Sequence, residues 1–142
     1  MNLALALFSL IGSADALLGQ WRYEGYIYDS HYYPLPSPGL ELFFTFRNDG
    51  YSNLKWSRQG EVGFCEREAL YFIEGDNLHQ EVTWVNPNNN YECQKDMDMQ
   101  LGRQTVDPFK INNSHLFLFF NLNEKEFIYV LKKQTHLKET IQ

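Results

Sequence analysis

Residues 39–51 read GLELFFTFRNDGY, and the phase of their apolar positions decides the fold class. Leu40, Leu42, Phe44 and Phe46 alternate with Glu41, Phe43, Thr45 and Arg47. A period of two places the first set on one face of an extended strand, because successive side chains of a strand point to opposite faces. Asn48-Asp49-Gly50 then supplies turn chemistry before Tyr51 opens the next run.

Outward from this stretch the pattern repeats. On the C-terminal side strands are expected over Tyr51–Arg58, Phe64–Glu74, Leu78–Asn86, Asp96–Leu101, His115–Leu122 and Lys125–Lys133, separated by Gly-, Asn- and Asp-rich turns. Pro108 demotes Thr105–Ile111 to an edge or irregular strand, since proline has no N–H for a ladder. On the N-terminal side Leu18–Asp29 reads as a strand that changes face around Gly25, where a bulge fits. Ser30–Pro38, SHYYPLPSP, carries three prolines and reads as a loop. No stretch of about ten or more residues has helical spacing. The expectation is an all-β chain, an eight- to nine-stranded antiparallel up-and-down barrel spanning residues 17–133, with a polar tail at 134–142. A sheet this long with one apolar face removes its edges by closing on itself. A two-sheet sandwich is the competing architecture.

The chain has 142 residues, 44% of them hydrophobic and 16% aromatic, enough for one buried core and against the composition of disordered chains. Its net charge of −6 and pI near 5.1 leave no diffuse positive field for phosphates, so no nucleic-acid partner is expected. Residues 1–16 end in Ala14-Asp15-Ala16 after the apolar run NLALALFSLIG, which reads as a signal peptide with an A-x-A cleavage pattern. A secreted or periplasmic location follows, with no integral membrane segment in the mature chain, because Asp15 ends the run well short of a bilayer's thickness. A buried apolar segment is the other reading of the run. Cys65 and Cys93, an even count in an apparently exported chain, read as one disulfide, with two buried thiols as the alternative. His31, His79, His115 and His136 stand singly, so neither a metal site nor any other cofactor is expected.

Leu18-Gly19-Gln20-Trp21 carries a G-x-W at the start of the first strand, and the last strand ends on Lys132 and Lys133. This resembles the lipocalin and lipocalin-like barrels of the calycin type. The resemblance implies that Gly19 and Trp21 close one end of the barrel, with Lys132 or Lys133 laid over the indole. Phe44 to Tyr51 is similar to the F-x-x-D-G strand and turn of small bacterial lipocalin-like domains, as is Tyr71 to Leu78.

In such a barrel Leu42, Phe44, Phe46, Trp56, Trp84, Met97, Met99, Phe117 and Phe119 are expected to point inward. Phe44, Phe46, Trp56, Trp84, Met97, Met99 and Phe117 are the candidate contacts to a small hydrophobic molecule in the lumen. The alternative is a filled core and a non-enzymatic protein-interaction or inhibitor module outside the cytoplasm. A partner or a second copy would then meet the strand 115–122 through an outer patch of Leu116, Leu118 and Phe120. An enzyme is not expected. There is no G-x-S-x-G, no Gly-rich phosphate loop and no H-E-x-x-H, and the acids Glu66 and Glu68 read as solvated charges flanking Arg67.

Overall fold

The computed structural model describes residues 15–35 and 39–135. Most of the expected signal peptide and most of the C-terminal tail lie outside the described residues. Among the described residues nine strands form one antiparallel sheet: β1 (Gly19–Tyr28), β2 (His31–Pro34), β3 (Leu40–Phe46), β4 (Tyr51–Arg58), β5 (Cys65–Glu74), β6 (Asn77–Val85), β7 (Gln104–Asn112), β8 (His115–Leu122) and β9 (Lys125–Lys133). From β3 to β9 each strand pairs with the next, β1 pairs with β3, and β9 returns to pair with β1 from Trp21 to Tyr28. The sheet therefore closes into an eight-stranded barrel with β2 as one extra strand, and the sandwich is excluded.

Short turns impose the up-and-down order. Asp29-Ser30 and Asn123-Glu124 have positive φ at both residues, the two-residue hairpin geometry whose twist matches that of the flanking strands. The first of these corrects the reading of Ser30–Pro38 as loop throughout. It folds His31–Pro34 back on β1, Tyr33 opposite Tyr26, as a fully exposed edge strand where proline's missing donor costs no ladder bond. The shift near Gly25 is present as a register break between Tyr23 and Gly25 on the β9 side. A Cβ at Gly25 would lie 2.4 Å from the Tyr33 carbonyl oxygen, so only glycine fits.

β7 is a wall strand and not an edge, and Pro108 sits where its partner changes. Gln104–Pro108 pairs with β6, whereas Phe109–Asn112 pairs with β8. β8 beyond Leu118 pairs with β9 alone, which leaves the barrel wall without a ladder between the first half of β7 and the second half of β8.

Asp96–Leu101 is not a strand. Tyr91–Lys95 and Met97–Met99 are short 3₁₀ helices, each begun by a side-chain cap: Asn90 accepts from the Glu92 N–H, and Asp96 from the Asp98 N–H. Asn and Asp offer the backbone these local bonds in competition with a sheet ladder. Cys93 is bonded to Cys65, with Cα atoms 5.7 Å apart, so the segment is tied to the first residue of β5.

One end of the barrel is packed around Trp21. Trp21, 1% exposed, donates its indole N–H to the Leu17 carbonyl at 2.8 Å, and the Lys133 ammonium lies 4.8 Å from the ring centroid. That ammonium also donates to the Leu18 carbonyl, and burial lowers its pKa. Gly19, at φ +117°, makes room for it: a Cβ there would meet Nζ at 2.8 Å. Gly19, Trp21 and Lys133 thus form the closure that the resemblance implied. Lys132 does not, because it is opposite Arg22 on the outer face.

Candidate functional site

Above this plug the lumen is open. A cavity of about 510 Å³ runs from Phe44, Leu54 and Leu131 toward the end of the barrel carrying Arg58, Leu122 and Phe127. This volume is within the range of small-molecule sites, roughly 300–1,000 Å³.

Its two sides differ in chemistry. β1, β8 and β9 contribute aromatic rings, with Tyr23 and Tyr129 5.1 Å apart and Phe120 edge-on to Tyr129 at 4.8 Å. Burial raises the pKa values of both tyrosines, so their hydroxyls stay neutral donors. β5, β6 and β7 contribute Arg67, Gln80, Thr105 and Asp107. Arg67 is 4% exposed, and its guanidinium stands over the Phe44 ring, 5.2 Å from the centroid. Its Nη1 donates to Ser52 Oγ at 3.3 Å, and that hydroxyl donates to Gln80 Oε1 at 2.7 Å. Burial lowers the Arg67 pKa to about 10, which leaves it charged at neutral pH. Burial, with the neighbouring Asp98 charge, raises Asp107 to about 6.

The 3₁₀ segment forms part of the rim. Asp96 and Asp98 line the cavity from it, and Arg103, Nε 4.0 Å from Asp98 Oδ1, lines it from the start of the chain into β7. The disulfide therefore holds charged rim residues in place as well as the chain.

Of the candidate contacts, Phe44 and Trp56 line the cavity, together with Leu42. Phe46 is on the inner face but belongs to the plug, stacked on Phe44 and edge-on to Tyr71. Met99 is buried in the core, held by the 3₁₀ turn. Three expectations are corrected. Met97 is 62% exposed because the chain is helical there and period two does not apply. Trp84 is 42% exposed: opposite Glu68–Ala69 strand β6 carries one extra residue, Thr83, which turns Trp84 to the outside although Leu78 and Val82 stay inside. In β8 the faces are reversed, with Leu116, Leu118 and Phe120 inward and Phe117 and Phe119 outward. An outer patch on this strand consists of Phe117 and Phe119, with Ile128 opposite the latter on β9.

Glu66 and Glu68 are on the outer face, away from the cavity. Glu66 accepts from Asn53 and Asn86, which lower its pKa against the opposing effect of burial, and Glu68 pairs with Arg47 at 2.8 Å. Among the described residues no group of three or more His, Cys, Asp or Glu converges as a metal site would. The sequence reading missed Arg67 as a lumen residue. The signal was present in Cys65-Glu66-Arg67-Glu68-Ala69, where the lone cation alternates with two acids and so takes the face they do not.

Comparison with protein-family profiles finds no match, and no curated protein matches the chain in sequence. Among solved structures, a lipocalin-like protein from Bacteroides uniformis superposes with a TM-score of 0.58 at 16% identity, covering 84% of this chain and 99% of that one. A point mutant of the fluorescent protein UnaG gives a TM-score of 0.43 at 10% identity, over 86% and 99%. The chain has the lipocalin-like fold. Among the described residues no helix is long and apolar enough to cross a membrane.

Proposed function

We propose that this protein is an exported lipocalin-like barrel that binds a small hydrophobic molecule in its lumen and catalyses no reaction. The observation that carries the reading is the open cavity of about 510 Å³ inside a closed barrel, since an eight-stranded barrel can equally be filled by its own side chains. Export is supported by the apolar run ending in Ala14-Asp15-Ala16 and by the disulfide, a bond that persists in oxidising compartments. Cleavage after Ala16 spares Leu17, whose fully buried side chain and indole-binding carbonyl belong to the plug.

Titration of the delipidated protein with apolar probes, followed by tryptophan emission, tests the binding. Saturable quenching that is lost in Trp56→Phe, but kept when the exposed Trp84 is changed to Phe, supports a luminal guest. No saturable change with any probe overturns it.

A second reading rests on Phe117, Phe119 and Ile128, which give the outer wall an apolar patch suited to a protein partner or a second copy. A concentration-dependent dimer in sedimentation, abolished by Phe119→Asp, supports it, and a monomer at every concentration removes self-association.

A further inference from the structure

The connections at the two ends of the barrel carry opposite kinds of side chain. At the Trp21 end the turns are residues 47–50, 75–76 and 113–114, and none of them has an apolar side chain. At the open end Val62 is in the β4–β5 turn, Tyr91, Met97 and Leu101 are in the β6–β7 connection, and Leu122 ends β8 beside the β8–β9 turn. These five run from 57% exposed for Leu122 to 87% for Val62. Among the described residues they are five of the six most exposed large hydrophobic side chains, the sixth being Phe72 on the outer wall.

Exposed apolar side chains scattered singly over a surface are ordinary. Gathering them at one end is not. The local backbone does not ask for them there, since Gly60, Gly63, Asn90 and Asp96 supply the positive φ values and the side-chain caps of these connections. They also border the cavity. Leu122 lines it directly, Arg58 lines it from the strand that leads into the Val62 turn, and Asp96, Asp98 and Arg103 line it from the connection that carries Tyr91, Met97 and Leu101.

The apolar tips thus belong to three separate connections set around an opening. A protein partner buries a filled, contiguous core, which a hollow centre does not offer. A lipid surface accepts separate side chains that sink to the depth of the headgroups, where tyrosine is favoured. Charge narrows the choice of lipid. The connections 29–30, 59–64, 86–103 and 123–124 hold six acids and two bases, so they repel an anionic leaflet.

We infer that the open end docks mouth-down on a zwitterionic lipid surface, with Val62, Tyr91, Met97, Leu101 and Leu122 entering the headgroup region around the cavity. The contact goes beyond the luminal binding proposed above and does not depend on what the lumen holds.

Co-sedimentation of the full chain with phosphatidylcholine vesicles tests this. The parent should bind, and should bind less well when anionic phosphatidylglycerol is mixed in at low salt. Val62→Asp and Leu101→Asp, on separate connections, should each weaken binding and together weaken it roughly tenfold or more, because each exchanges an inserting apolar side chain for a charge. Phe72→Asp, at an exposed site on the wall, should leave binding unchanged. The apolar run within residues 1–16 is common to every variant, so differences among them report on the tips alone. Unchanged thermal midpoints check that the variants fold. On the vesicle-bound chain hydrogen exchange should slow within residues 59–64 and 91–103 and not within 47–50 or 113–114. A parent that stays in the supernatant, a double variant that binds like the parent, an equal loss in Phe72→Asp, a preference for the anionic vesicles, or protection at the Trp21 end overturns the docking. A concentration-dependent dimer in the absence of lipid, abolished by the double variant, assigns the tips to a second copy instead. The titration of luminal guests is a separate measurement, and its failure leaves this contact standing.

Discussion

The two ends of the barrel are built by the same strands to opposite effect. At the Trp21 end an indole, the Lys133 ammonium, Leu17 and Phe46 are packed together, with Phe44 stacked on Phe46. At the other end the same inward positions border about 510 Å³ of space, lined partly by charge and rimmed by a disulfide-tethered 3₁₀ segment. The closed end holds the barrel's shape by packing. The open end is hollow, and a disulfide tethers its short 3₁₀ turns, which have little stability of their own.

The sharpest way to break this comparison is through the reversed faces of β8. Leu118→Asp puts a charge on the inner wall and should cost more than about 4 kcal/mol, unfolding the chain at moderate urea, whereas Phe117→Asp on the outer face should cost about 1 kcal/mol. Equal effects in chemical denaturation would return β8 to the opposite phase. Next in size, Trp21→Ala should cost about 3–5 kcal/mol through lost burial and a sealed void. Trp56→Ala, which enlarges a cavity already open to water, should cost less than half as much. Replacing both Cys65 and Cys93 by Ser opens a loop of sequence separation 28 and should cost roughly 3.5 kcal/mol on the chain-entropy model. Proteolysis should then cut first within residues 90–103, at the rim, and leave the plug intact.

The smallest effect is in pH dependence. The folded-state pKa of Asp107, raised to about 6 from an ordinary 3.8, means that the folded chain holds this proton more tightly than the unfolded one. Stability therefore falls as pH rises from about 4 to about 6, the reverse of a salt-bridged acid. Asp98 is shifted in the same direction and contributes to the slope. Thermal midpoints across that range should show a shallower fall in Asp107→Asn, and an unchanged slope would mean that Asp107 is solvated at the wall.

The plug was far more legible in the sequence than the site. Trp21 is a large apolar side chain in a strand of clear phase, and Phe44 and Phe46 continue the period-two series of Leu40 and Leu42, so their faces could be read directly. Trp84 could not be placed because one extra residue in β6 reverses every later face, and bulges carry no reliable local signal. His115–Leu122 is apolar on both faces, so its alternation has no phase. Only register decides, setting Leu118 between Phe109 and Tyr129, and Phe117 between Lys110 and Val130. Met97 and Met99 share a face in a strand but not in a 3₁₀ turn, and the capping side chains of Asn90 and Asp96 made that choice.

The amino-acid sequence by itself determined that this chain is all-β, because period-two alternation and turn residues are local properties that each strand carries in its own composition, whereas closure into a barrel and not a sandwich rests on the pairing of β1 with β9. The G-x-W resemblance also pointed to the indole and to two lysines, of which the structure puts Lys133 over the ring. Whether the lumen would be full or hollow, and that Arg67 would stand inside it, was decided only by the tertiary structure. Cavity volume and the company of a buried charge depend on which strands face each other and in what register, and no single strand contains that information.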